Sequence, residues 1–240
     1  MQFDSSERRQ LLVTGGTSGI GLALAVGFAE AGWDVVAAGL RSDEVALRQV
    51  NERIRVVELD VTDSVAIDRV VAECPRIDAL INAAGIIQRI DEFKQPVFER
   101  VVDVNLHGTM RVCTACKNKL AKSGGSIVNI ASMLTFFGGG LVPAYAASKG
   151  AIGQLTKSLA IAWAADRVRV NAIVPGWIET PLTVDLRNDK ERNKSIVSRT
   201  PMARWGKPEE LVGPALFLTS DAASFVTGAL LTVDGGYSIM

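Results

Sequence analysis

One histidine, His107, and three cysteines, Cys74, Cys113 and Cys116, are all that 240 residues hold of the usual nitrogen and sulfur metal ligands. So small a set leaves little with which to build a zinc site or a histidine-assisted nucleophile, so no metal is expected and proton transfer should fall to another residue type. Cys113 and Cys116 form a CxxC, but it lies in a helical-looking stretch without a matching second pair and reads as buried core. An odd number of cysteines offers no disulfide framework, and Met1 opens a polar stretch, MQFDSSERRQ, unlike a charged-then-apolar leader; the expected compartment is the cytoplasm. No apolar run approaches the ~20 residues that cross a bilayer, so no membrane partner is expected. Net charge is missing too: 26 Lys+Arg stand against 26 Asp+Glu. Without a global field there is nothing to hold a nucleic acid, and any anionic partner must be met by a local cluster.

What is present is ordinary for a water-exposed globular chain, 48% hydrophobic and 22% charged, of a length that suits one domain spanning 1–240. Short apolar runs alternate with longer periodic ones. Leu11 to Gly16, Asp34 to Gly39, Arg55 to Leu59, Asp78 to Asn82, Ser126 to Ile130, Val168 to Ile173 and Ala229 to Val233 read as strands. Between them, Ile20 to Ala31, Glu44 to Val50, Asp63 to Glu73, Phe98 to Leu120, Ala144 to Ala164 and Pro208 to Ser220 read as helices. Strands apolar on both faces, each followed by a helix, predict an α/β doubly wound Rossmann fold: a seven-stranded parallel sheet with helices on both faces. Pro175 to Lys207 is the one long irregular stretch, a candidate lid.

TGGTSGIG (Thr14 to Gly21) joins the first strand to the first helix with Gly15, Gly19 and Gly21 in a GxxxGxG spacing. Gly15 permits the tight turn, Gly19 lets backbone approach a pyrophosphate, and Gly21 lets the helix pack closely, with free N–H groups and the helix dipole facing the anion. No GK[ST] follows, which points away from triphosphate hydrolysis and toward a redox dinucleotide. Gly39 stands after the second strand where an acid would hold the ribose of NAD, and Arg41 nearby leans toward the 2′-phosphate of NADP.

Tyr145 and Lys149 lie in YAASK, one turn apart on a single helix face. A tyrosine with a pKa of about 10 is a poor base at neutral pH, and a neighbouring ammonium favours the phenolate. Ser132, just past the fifth strand, can donate a hydrogen bond to a substrate oxygen that gains charge during hydride transfer.

With these features in this order, the chain resembles the short-chain dehydrogenase/reductase family over essentially its whole length. TGGTSGIG matches the family's TGxxxGxG, implying cofactor contacts at Gly15, Thr17, Ser18, Gly19, Ile20 and Gly21. Asp60 with Val61 matches the acid that contacts adenine, and NAAG matches NNAG, implying Asn82, Ala83 and Gly85 beside the cofactor. PGWIET matches PGxxxT, implying Pro175, Ile178 and Thr180, the last at the nicotinamide carboxamide. Asn105 in NLHG matches the asparagine that holds a water in the proton relay. Ser132, Tyr145 and Lys149 match the catalytic trio: Tyr145 the general acid/base, Lys149 lowering its pKa and binding the nicotinamide ribose, Ser132 orienting the substrate. The resemblance also implies a homotetramer, with Phe98 to Leu120 and Ala144 to Ala164 pairing across interfaces, Gly150 and Gly153 allowing close approach, and DGGY (Asp234 to Tyr237) near another interface.

Substrate identity sits in loops. ASMLTFFGG with VPAYAASK, together with RTPMARWGKPEEL, resembles the sugar-acid branch, the 2-dehydro-3-deoxy-gluconate and gluconate dehydrogenases. That implies oxidation of a secondary hydroxyl of a 2-keto-3-deoxy sugar acid, with NAD as oxidant and NADP as the alternative. Charge agrees: from Pro181 to Lys207 there are seven basic residues and three acidic ones, a balance of plus four. Arg89 can pair with a small carboxylate and Gln88 can meet sugar hydroxyls. Met133, Leu134, Phe136, Phe137 and Trp177 would wall the nicotinamide, with Met133 and Trp177 also facing the substrate. The alternative within the enzyme class is an NADPH-dependent 3-oxoacyl thioester reductase. Outside it stands a non-catalytic dinucleotide sensor, a class that tends to lose the Tyr/Lys pair kept here.

Overall fold

The computed structural model describes residues 8–40 and 51–240. A strand covered by helices on both faces has no solvent side, so it is apolar throughout. Gln10–Thr14 (β1), Asp34–Gly39 (β2), Ala79–Asn82 (β4), Ser126–Ile130 (β5) and Arg169–Pro175 (β6) follow that rule and are buried along nearly their whole length. Ile54–Glu58 (β3) and Leu230–Val233 (β7) are less buried, as edge strands are. All pair in parallel in the order β3-β2-β1-β4-β5-β6-β7, the predicted seven-stranded sheet.

Alternate residues of each strand feed opposite layers. Leu12, Val36, Leu80 and Ile127 join one core, with Ser64–Glu73 (α2), Thr109–Ser123 (α4) and Pro143–Trp163 (α5). Leu11, Val13, Ile81 and Val128 join the other, with Gly19–Glu30 (α1) and Val212–Thr219 (α8). Cys74, Cys113 and Cys116 are free thiols in the first layer, and burial pushes Cys113 up to about 12, so the CxxC is inert core as expected.

Three expectations need correction. The stretch Phe98 to Leu120 is not one regular helix: Gln95–Val102 (α3) runs into a π turn at Asp103–Gly108 before α4 begins. Periodicity reports that a face is apolar but not that one extra residue has been inserted in a turn. Pro175 to Lys207 is not irregular; it holds a 3-10 turn at Pro181–Thr183 and the helices Val184–Asn188 (α6) and Lys190–Arg199 (α7). Asp189 caps α7 by accepting from Glu191 N and Arg192 N, while the polar composition of the segment hides its period. Pro208 to Ser220 begins as a 3-10 turn, Pro208–Leu211, ahead of α8. The helix expected at Glu44 to Val50 lies outside the described residues.

Candidate active site

From β1 the chain proceeds to one side of the sheet and from β4 to the other, so the crevice at their carboxyl ends is the topological switch point. A cleft of about 470 Å³ opens there. Gly15 turns with φ +65°, and a Cβ on it would lie 2.7 Å from Ala84 N. A Cβ on Gly21 would lie 2.2 Å from Gly15 O, so the turn and the start of α1 touch backbone to backbone. Ser18 begins α1 with no side-chain cap and no acid in the first turn, and Leu22 donates to Ser18 O at 3.1 Å. The amides ahead of it are left for an anion, which is how such a turn takes a pyrophosphate. The cradle fits the expected dinucleotide. Thr17 points elsewhere: a Cβ on Gly39 would meet its Oγ1 at 2.3 Å, so Thr17 packs over the end of β2. Arg41 lies outside the described residues.

Ser132, Tyr145 and Lys149 line this same cleft. Ser132 caps the 3-10 turn Met133–Thr135, accepting from Leu134 N at 3.2 Å. Thr135 Oγ1 then donates to Lys149 O at 2.9 Å, pinning the serine turn onto α5. Lys149 is only 6% exposed; its Nζ donates to Ile130 O at 2.7 Å, and burial pulls its pKa down to about 8. Burial pushes Tyr145 upward, opposed by a side-chain hydrogen bond with Ser132 and by the charge of Arg89, while the Glu92 carboxylate adds to the rise. The Lys149 ammonium sits 5.6 Å from the Tyr145 ring centre and donates to the Ile130 carbonyl, while Ser132 and Arg89 favour the phenolate.

Asn105 sits in the π turn, fully buried and outside the cleft lining. Its Oδ1 accepts from Ile86 N at 2.8 Å, and its Nδ2 donates to Ile86 O at 3.0 Å and Ser148 Oγ at 3.1 Å. It thereby ties the loop after β4 to α5, and Lys149 Nζ and Asn105 Oδ1 both lie beside Gly85. Farther along this loop Ile90 takes φ +71°, a conformation that costs a β-branched residue on the order of 1–3 kcal/mol. Glu92 holds the loop in place. Its carboxylate is fully buried, accepting from Gln88 N at 2.9 Å and from Tyr145 N at 2.8 Å in the first turn of α5.

Of the residues expected at the cofactor, Gly15, Ser18, Gly19, Ile20, Gly21, Ala83, Gly85, Pro175, Ile178 and Thr180 line the cleft. Asp60, Val61 and Asn82 do not. Asp60 Oδ1 accepts from Thr62 N and Oγ1 at 2.8 and 2.7 Å; partial burial pushes its pKa up, but these bonds and Arg100 bring it below the usual value. Val61 packs on the π turn at Gly108, and Asn82 Nδ2 donates to Asn129 Oδ1 and Cys113 Sγ at 2.9 and 3.2 Å, inside the sheet. Among the expected substrate residues, Arg89, Met133 and Trp177 line the cleft, whereas the Gln88 side chain is exposed outside it. Leu134 and Phe137 join the apolar wall, but Phe136 is half exposed and turned away.

Sequence reasoning missed Glu92 and Tyr237 and counted Arg192 and Arg199 only among the seven cations of the basic segment. Tyr237 was assigned to an interface, yet Gly235 and Gly236, at φ +63° and +87°, turn it back into the cleft. There its ring stands 6.1 Å from that of Trp177, and the Arg199 guanidinium lies 4.4 Å above it. Two adjacent glycines were the available signal; Glu92, beside Asp91 in the mixed stretch QRIDEFK, carried none.

The family model described as Enoyl-(Acyl carrier protein) reductase matches residues 15–238. A 2-dehydro-3-deoxy-D-gluconate 5-dehydrogenase of Pseudoalteromonas atlantica is 44% identical, over 97% of each chain. The Bacillus subtilis protein of the same name is 40% identical, over 97% of this chain and 96% of its own. A solved gluconate 5-dehydrogenase of Burkholderia cenocepacia, in complex with NADP and tartrate, superimposes with a TM-score of 0.91 at 35% identity, covering 100% of this chain and 97% of the other.

Proposed function

Because the chain belongs to the short-chain dehydrogenase/reductase family, we propose that it is an NAD(P)-dependent oxidoreductase acting on a secondary hydroxyl of a sugar acid, of the 2-keto-3-deoxy type. The observation that carries the reading is the convergence of the glycine turn with Ser132, Tyr145 and Lys149 on one cleft at the switch point. A bound nicotinamide supplies the hydride acceptor or donor; the protein's residues do the rest. Tyr145 takes the hydroxyl proton, Ser132 hydrogen-bonds the substrate oxygen and Tyr145 together, and Lys149 holds the cofactor ribose. Asn105 acts at one remove, fixing the loop that brings Gly85 against Lys149 and leading protons away from it. Arg89, in the lining and without a carboxylate partner among the described residues, meets the acid group.

The same reading takes 1–240 as a single catalytic domain, supported by one sheet that draws on strands from Gln10 to Val233. It also takes the assembly to be a homotetramer, supported by exposed Met110, Ile161, Phe217 and Phe225, and the compartment to be the cytoplasm, supported by three unpaired thiols. Among the described residues no helix is long and apolar enough to cross a membrane.

A cofactor-reduction screen tests the reading, with 2-dehydro-3-deoxy-D-gluconate, D-gluconate and 3-hydroxyacyl thioesters each offered NAD and NADP. Turnover of a sugar acid is expected; turnover of thioesters alone would move the assignment to the acyl reductase. Tyr145→Phe should reduce kcat by on the order of 10²–10⁴-fold while equilibrium cofactor binding persists. Full activity in that variant would remove Tyr145 from its role.

A further inference from the structure

The plus-four segment between Pro181 and Lys207 invites the question of which of its cations meets the substrate. Most are occupied or face away. Arg187 pairs with Glu179 at 3.9 Å, and Arg204 pairs with Glu210 through two bonds of 2.7 and 2.6 Å. Lys190, Lys194 and Lys207 do not line the cleft. Arg199 does, but it is spent on the Tyr237 ring, the Phe137 ring and the Met240 carbonyl. Arg192 remains: it lines the cleft, and its guanidinium has no carboxylate or hydrogen-bond partner among the described residues.

Its position is also unfavourable for the helix. Arg192 lies in the first turn of α7, where the macrodipole disfavours a cation and favours an acid. A residue that opposes local stability without a compensating contact is what a binding site leaves behind. The Arg192 cation thus lines the cleft without an acceptor among the described residues, and the carboxylate of a sugar acid would supply one.

We propose that Arg192 is the residue of this segment that recognises the substrate's carboxylate, acting with Arg89 of the β4 loop. The inference rests on the sugar-acid reading above and deepens it. Arg89 Nη1 already donates to Leu182 O at 3.4 Å, so loop and segment meet beside the cleft. A carboxylate held by both would close one over the other.

The test is Arg192→Met, with Arg89→Met and the double variant, assayed on 2-dehydro-3-deoxy-D-gluconate alongside equilibrium binding of NADP to each. The expected result is a KM raised about tenfold or more by either single change, with kcat in Arg192→Met moved less than threefold and the NADP Kd unchanged in each variant. The double variant should fall short of the product of the single effects, because both groups act on one carboxylate. A KM within threefold of wild type in Arg192→Met, or a parallel rise in the NADP Kd, would overturn the assignment. A wild-type enzyme that turns over no sugar acid at all is a different result and overturns the proposed function itself.

Discussion

Lys149 keeps its ammonium almost out of water with the Ile130 carbonyl as its hydrogen-bond acceptor, and its pKa falls from 10.5 to about 8. Below pH 8 both folded and unfolded chains carry the proton, and the folded one bears the full desolvation penalty. Between about pH 8 and 10.5 the unfolded chain binds the proton more tightly, so this group's contribution to stability rises with pH across that window. The gap corresponds to about 3 kcal/mol. Lys149→Met should flatten that rise, as denaturant midpoints at pH 7 and pH 10 would show; an undiminished slope in the variant would contradict it. At this scale the sequence was most informative about spacing. Tyr145 and Lys149 could be put on one face because four residues make about one turn, and Ser132 because a strand ended beside it. What spacing could not show is direction. The ammonium turns to a carbonyl, Thr17 turns to β2, and Glu92 turns inward to two amides, because each responds to neighbours far along the chain.

Elements explain why the trio holds its shape. The turn that carries Ser132 is fastened to α5 through Thr135, and the room for Thr135 is made by Gly153, where a Cβ would come 2.6 Å from Thr135 Cγ2. Gly153 therefore serves this chain's own packing and not the close helix pairing expected of it; nothing lies within 4 Å of a Cβ at Gly150, which stays available to a partner. Gly153→Ala should displace Thr135 and with it Ser132, lowering kcat severalfold while leaving cofactor binding intact, at a stability loss of about 1–3 kcal/mol. Steady-state kinetics beside a thermal melt checks this, and unaltered kcat would show that the turn absorbs the methyl. Helices and strands with strong apolar period were legible to within a few residues. The π turn was not, since Asp103 to Gly108 carries no proline and no distinctive run, and its effect is to carry Asn105 to the Ile86 backbone.

For the whole molecule, strand and helix alternation led directly to the parallel sheet, because a parallel connection needs a crossover and right-handed crossovers leave few topologies. The switch point, and hence the cleft, followed from that order. Part of the cleft's wall did not follow, since Tyr237 and Arg192 arrive from segments whose placement depends on tertiary packing. The sheet also ends in an incompletely buried β7 near fully exposed Phe225 and half-exposed Phe217, an apolar surface that a second copy would cover. Sedimentation should report four chains per particle, and Phe225→Asp should shift the distribution toward smaller species; a wild-type monomer would dismiss the tetramer. The chain possesses two tyrosines, and both of them line the cleft. The rise in near-ultraviolet absorbance that marks phenolate formation is therefore a signal of this one cavity, read as a difference above the tryptophan absorbance. Once Tyr237 is replaced by Phe, every such change with pH belongs to the single phenol of Tyr145, which can then be titrated by light without any turnover at all.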